Sequence, residues 1–144
     1  MHAVLAILAA LVRRSLTGVG TRLDVAAAEG ALSLMSLSID QYLAEGEVAG
    51  PREVLLTGRY AFYDLYRCSD GKWISVGAIE SHFYKALCDS LGLSEYVSDQ
   101  MNDDKQDEIR AAFQRAFLRR SRDEWVADLA EKSTCVAPVY EIPE

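Results

Sequence analysis

The dipeptide Asp70-Gly71 lies between two runs rich in aromatic and β-branched residues, Tyr60 to Cys68 and Lys72 to Gly77. Asp-Gly tolerates the positive φ angles that a two-residue type I′ turn demands, so the pattern predicts an antiparallel hairpin with that turn at its tip. This commits the middle of the chain to β-structure. The flanking segments carry helical periodicity, and the expected class is therefore α+β, mainly helical around a β-hairpin.

Ala3 to Val12 is a continuous apolar run closed by Arg13 and Arg14. It is too short for a bilayer, which needs about 20 residues. Its charges follow the apolar stretch instead of preceding it, so it does not read as a signal peptide. A buried helix to about Arg14 remains. No Ser, Thr, Asp or Asn stops it at the start, which leads to the expectation that residues upstream of Met1 are absent. After the turn-rich stretch Ser15 to Gly20, residues Thr21 to Val25 read as extended. Ala27 to Ala44 then reads as one helix, with Leu32, Met35, Ile39 and Leu43 at helical spacing. Both helices are apolar enough to suggest that they lie against a larger surface.

From Glu45 to Arg59 the periodicity dissolves into Gly46, Gly50, Pro51 and Gly58. The expected organisation is a helical region over 1–45, a linker over 46–59 and a small domain over 60–144. Beyond the hairpin, Phe83, Ala86 and Leu87 share a helical face, with Gly92 and Leu93 as a C-terminal cap. Ile109, Ala112, Phe113, Ala116 and Phe117 form the apolar stripe of a second helix. Ser121 and Glu124 match a capping box for a third, bearing Trp125 and Leu129. Pro138 predicts an extended segment around Cys135 to Val139.

A formal charge of -7 disfavours nucleic acid as a partner. Arg119, Arg120 and Arg122 read as solvated helix ends. Cys68, Cys88 and Cys135 are odd in number and widely spaced, which argues for reduced, cytosolic thiols instead of a disulfide framework or a zinc site. His2 and His82 lack metal-ligand spacing, so no metal is expected. No self-contained catalytic motif is present. Glu80, directly after a strand, could face a cleft and orient a base, although a carboxylate at a helix start is also favoured by the dipole alone. His82 would serve as a base only with a partner in reach. Tyr60, Phe62, Tyr63 and Tyr66 read as hairpin packing.

The stretch Tyr63-Asp64-Leu65-Tyr66-Arg67-Cys68-Ser69-Asp70-Gly71-Lys72-Trp73-Ile74-Ser75-Val76-Gly77-Ala78-Ile79-Glu80 resembles the YDTYxCxDGxxxAVGAxE pattern of the racemase branch of the class III CoA-transferase family. Ile7 to Arg14 with Gly18 to Gly30, Phe83 to Leu93, and Ser133 to Val139 are similar, in order and spacing, to further segments of alpha-methylacyl-CoA racemases. The resemblance implies part of a two-domain α/β fold, with two chains interlocked, and a CoA thioester as substrate without any further cofactor. It implies that a His and an Asp move the α-proton, that Glu80 supports this His, and that Tyr63 borders the acyl pocket. The GHDxxY and GDxGGG contexts of that His and Asp have no counterpart among these residues, and His2 is not a substitute. The expectation is a cytoplasmic fragment of an acyl-CoA racemase, inactive alone: either a truncated reading frame or half of a split enzyme completed by another chain. The alternatives are a class III CoA-transferase and a non-catalytic dimerisation or subunit-binding module.

Overall fold

A computed structural model describes all 144 residues, which form two units, Met1–Ala49 and Gly50–Glu144. In the first, α1 (His2–Thr17) ends at Gly18, whose φ of 71° provides the left-handed cap that glycine adopts without strain. His2 lies inside this helix, and a Cβ added at Gly30 would come within 3.1 Å of its Nδ1. The single helix expected over 27–44 is instead two, α2 (Ala27–Leu34) and α3 (Ser36–Glu45), broken at Met35. Gly30, Ser33 and Ser36 bracket the break, and all have weaker helix propensity than alanine. Thr21 to Val25 forms no strand. A strand needs a hydrogen-bonding neighbour, and the sheet of this protein contains only later residues. None of the three helices buries a residue; Leu8 and Leu11 of α1 remain 54% and 52% exposed. No helix is long and apolar enough to cross a membrane.

The second unit is built on an antiparallel sheet of three strands in the order β1 (Tyr63–Arg67), β2 (Trp73–Gly77) and β3 (Val136–Val139). The hairpin forms as expected, but its loop has three residues. Cys68 N–H donates to Lys72 O at 2.8 Å, Gly71 N–H donates to Cys68 O at 3.0 Å, and only Gly71 has positive φ, 81°. This is a type I turn followed by a left-handed glycine, so Asp70 never needs the strained conformation of a type I′ turn. Cys135 to Val139 is more than extended: β3 pairs with β2, Ile74 opposite Pro138. A proline is tolerated there because β3 is an edge strand. The other edge is blocked by the Gln114 side chain, which donates to Arg67 O at 2.8 Å and accepts from Arg67 N–H at 3.2 Å.

One face of the sheet, carrying Tyr66, Ile74 and Val76, is buried with α4 (Ser81–Leu91), α5 (Gln106–Phe117) and α6 (Arg122–Leu129). The stripe Ile109, Ala112, Phe113, Ala116 and Phe117 is buried throughout. On α4 the buried set is Tyr84, Leu87, Cys88 and Leu91, with Phe83 and Ala86 at its margin. Leu93 N–H donates to Cys88 O at 2.8 Å, closing α4 at Gly92 as expected. The capping box also forms: the Glu124 carboxylate accepts from Ser121 N–H at 2.9 Å.

Residues 50–59 are tied to this unit by charge. Arg52 and Arg110 both donate to the Asp64 carboxylate, and Arg110 also donates to Gly58 O at 2.8 Å. Gln106, only 5% exposed, accepts from Ala61 N–H at 3.0 Å and donates to Asn102 O at 2.8 Å. A buried amide is tolerated because its hydrogen bonds are made.

Arg122 corrects the reading of the basic residues. Its side chain is 3% exposed and donates to both oxygens of Glu144, at 2.8 and 2.7 Å, and to Val139 O at 2.8 Å. Arg122, Lys72 and the Glu141 N–H hold the Glu144 carboxyl well below the usual carboxylate range. Because the folded value is depressed, the stabilisation is full above the unfolded pKa of about 4.3 and is lost as pH falls toward the folded value. Melting temperatures of wild type and Glu144→Gln are therefore expected to differ most above about pH 5 and to approach one another below about pH 4. A gap that widened in acid would contradict the assignment.

Candidate functional site

Side chains alternate across a strand, so the residues between those of the buried face point the other way. Tyr63, Leu65, Ser75 and Gly77 lie on this outer face, opposite the one buried with α4, α5 and α6. Together with Leu56 and Cys135 they line an open cleft of about 510 Å³. Tyr63 stands opposite Gly77 in the β1–β2 register. Cys135 approaches from the loop before β3, its carbonyl accepting from Gly77 N–H at 2.9 Å. Ser133 and Cys135 both have positive φ, 52° and 49°. Such angles are uncommon outside glycine, so this loop is held by its surroundings in a conformation it would not choose alone.

Glu80 occupies the N-cap position of α4 with φ −71° and ψ 140°, and its side chain does not cap the helix. The residue is exposed; its carbonyl accepts from Tyr84 N–H at 3.0 Å, while its carboxylate makes no hydrogen bond or ion pair within the chain. The carboxylate is therefore available to a group outside these residues. Desolvation and then the Glu80 charge push the Cys135 thiol up from its usual value.

Tyr63 and Glu80, singled out in the sequence, are thus a cleft wall and a free carboxylate at the exit of β2. His82 is exposed on the first turn of α4, its ring 3.9 Å from that of Phe83, and has no carboxylate partner. Tyr60, Phe62 and Tyr66 are core residues. Gly77, Leu56 and Cys135 were not anticipated as cleft residues; the one available signal was a glycine inside a strand pattern. No group of three or more His, Cys, Asp or Glu side chains could hold a metal ion.

All of residues 1–144 match CoA-transferase family III. The chain belongs to this family. Among characterised proteins, the family III chain is 36% identical over 143 residues to the alpha-methylacyl-CoA racemase of Homo sapiens, covering 97% of this chain and 37% of the racemase. It is 26% identical over 145 residues to the acetyl-CoA:oxalate CoA-transferase of Acetobacter aceti, covering 96% of this chain and 36% of the transferase. Among solved structures, Rv3272 of Mycobacterium tuberculosis superposes with a TM-score of 0.74 at 21% identity, over 96% of this chain and 36% of that one. That likeness shows the fold: this α+β chain is part of the larger fold of CoA-transferase-like proteins. The family III chain spans 37% of the racemase and 36% of the other two.

Proposed function

We propose that this family III chain supplies the outer wall and a supporting carboxylate of an acyl-CoA racemase site. The observation that carries the reading is the exposed Glu80 carboxylate, three residues past Gly77 of the cleft that Tyr63 walls, with no side-chain partner of its own. Greater identity to the racemase than to the oxalate transferase favours the racemase chemistry.

In that chemistry a base removes the α-proton of a CoA thioester. The C–H electron pair moves into the thioester as an enolate, and a proton is returned to either face of the same carbon. Abstraction needs a positioned base and stabilisation of the developing oxyanion, each contributing orders of magnitude to the rate. Glu80 does not touch the reacting carbon in this scheme. It accepts a hydrogen bond from the imidazole N–H of a base that lies outside these 144 residues, fixing its tautomer and orientation. Tyr63, with its ring at the cleft wall, borders the acyl group.

The reading is tested by α-proton exchange of 2-methylacyl-CoA in deuterated water. The expected result is no exchange with this chain alone, and exchange when a polypeptide carrying the GHDxxY and GDxGGG segments is added. Exchange by this chain alone would remove the need for an outside base. CoA transfer between two acyl groups in the completed assembly, without exchange, would favour the transferase chemistry. Neither activity would leave a binding module.

A further inference from the structure

Gly77 is the one glycine of the three strands, placed where β2 reaches the cleft. A glycine inside a strand forgoes side-chain packing and has greater conformational entropy to lose on folding, so its presence needs a cause. At Gly58, Gly71 and Gly92 of the second unit the cause is the backbone: their φ values are 92°, 81° and 72°, a region that other residues rarely adopt. Gly77 does not share that conformation. Nor is it squeezed by its neighbours. A Cβ built on it would meet Cys135 O at 3.8 Å and a Tyr63 ring carbon at 3.9 Å, both ordinary van der Waals distances. Nothing in the folded chain therefore requires glycine at this position. The missing side chain leaves open space on the outer face, between the Tyr63 ring and the Cys135 carbonyl, in the cleft.

We infer that Gly77 is a specificity-determining residue: its bare backbone is the floor on which the acyl group of a CoA thioester, at and next to its α-carbon, lies against β2. The inference rests on the acyl-CoA reading above and deepens it. The wall is apolar at Leu56, Leu65 and Tyr63, which suits an aliphatic acyl chain. A methyl group at position 77 would occupy the same space as that chain and leave the fold intact.

The test is an amide NMR titration of this chain with 2-methyldecanoyl-CoA and, separately, with free CoA, in wild type and Gly77→Ala. In wild type the amides of Tyr63, Gly77 and Cys135 should shift with the acyl-CoA and not with free CoA. In Gly77→Ala the melting temperature should be unchanged or higher, and the apparent Kd for the acyl-CoA should rise at least about tenfold. Equal shifts in Gly77→Ala would overturn the inference, as would a variant that fails to fold, because the added Cβ would then not fit. A wild-type chain whose cleft amides ignore the acyl-CoA would overturn it too. The racemase reading stands or falls separately, on proton exchange in the completed assembly.

Discussion

Replacing Phe113 by alanine is expected to destabilise the second unit by about 3–5 kcal/mol, a large part of the roughly 5–15 kcal/mol that holds a typical domain folded. Phe113 is fully buried, and its ring stands 5.8 Å from that of Tyr66 on β1 and 6.2 Å from that of Tyr84 on α4. It therefore joins the sheet and two helices at one point. Alanine would lose the transfer free energy of the ring and leave a cavity that three separate elements would have to close together. Denaturant unfolding followed by the fluorescence of buried Trp125 measures the effect. The midpoint should fall with little change in slope. A loss under about 1 kcal/mol would mean that the centre of the core lies elsewhere.

The second large effect is on rate. In the assembly that supports proton exchange, Glu80→Ala should lower kcat by about 100-fold, or ~2.7 kcal/mol, the scale on which loss of a partner that orients a functional imidazole is felt. KM should change little, because in the proposed scheme Glu80 stands behind the base and not against the substrate. Stability should change by less than about 0.5 kcal/mol, since Glu80 is exposed and makes no capping bond. A purely structural role would not move the pH profile, so the profile discriminates. A carboxylate beside an imidazole raises the pKa of the latter, and its neutralisation in Glu80→Gln should shift the acidic limb of kcat/KM to lower pH. An unshifted limb together with full activity would release Glu80 from the role.

What was legible in the sequence is what local chemistry decides. The α5 stripe, the Ser121–Glu124 box and the Gly92 cap each depend on residues within two turns of one another, and all three form. The hairpin was legible too, although its loop length was not, because Asp-Gly serves a three-residue loop as well as a two-residue one. The misses are non-local. Thr21 to Val25 looks extended in isolation but has no strand to pair with, whereas Val136 to Val139 has one in β2. Arg122 reads as a surface cation until the chain brings Glu144, 22 positions later, onto it. Of the candidate site, Glu80 and Tyr63 were singled out through family resemblance alone; the structure puts Tyr63 on the cleft wall and leaves Glu80 exposed. The cleft itself is assembled from three separated segments around residues 56, 63–77 and 135, and no spacing rule connects them.

The pairing of β2 with β3 also sets a schedule for biosynthesis. Ser75 and Ala137 meet across 62 positions of chain, so β2 leaves the ribosome with one flank open. At about 5–20 residues per second, the strand that closes this flank arrives on the order of 3–12 seconds later. During that interval the unpaired N–H and C=O groups of β2 face solvent beside a half-built core, a template for pairing with another nascent chain. Synonymous codons that slow translation between β2 and β3 would lengthen the exposure and lower soluble yield without altering the finished protein.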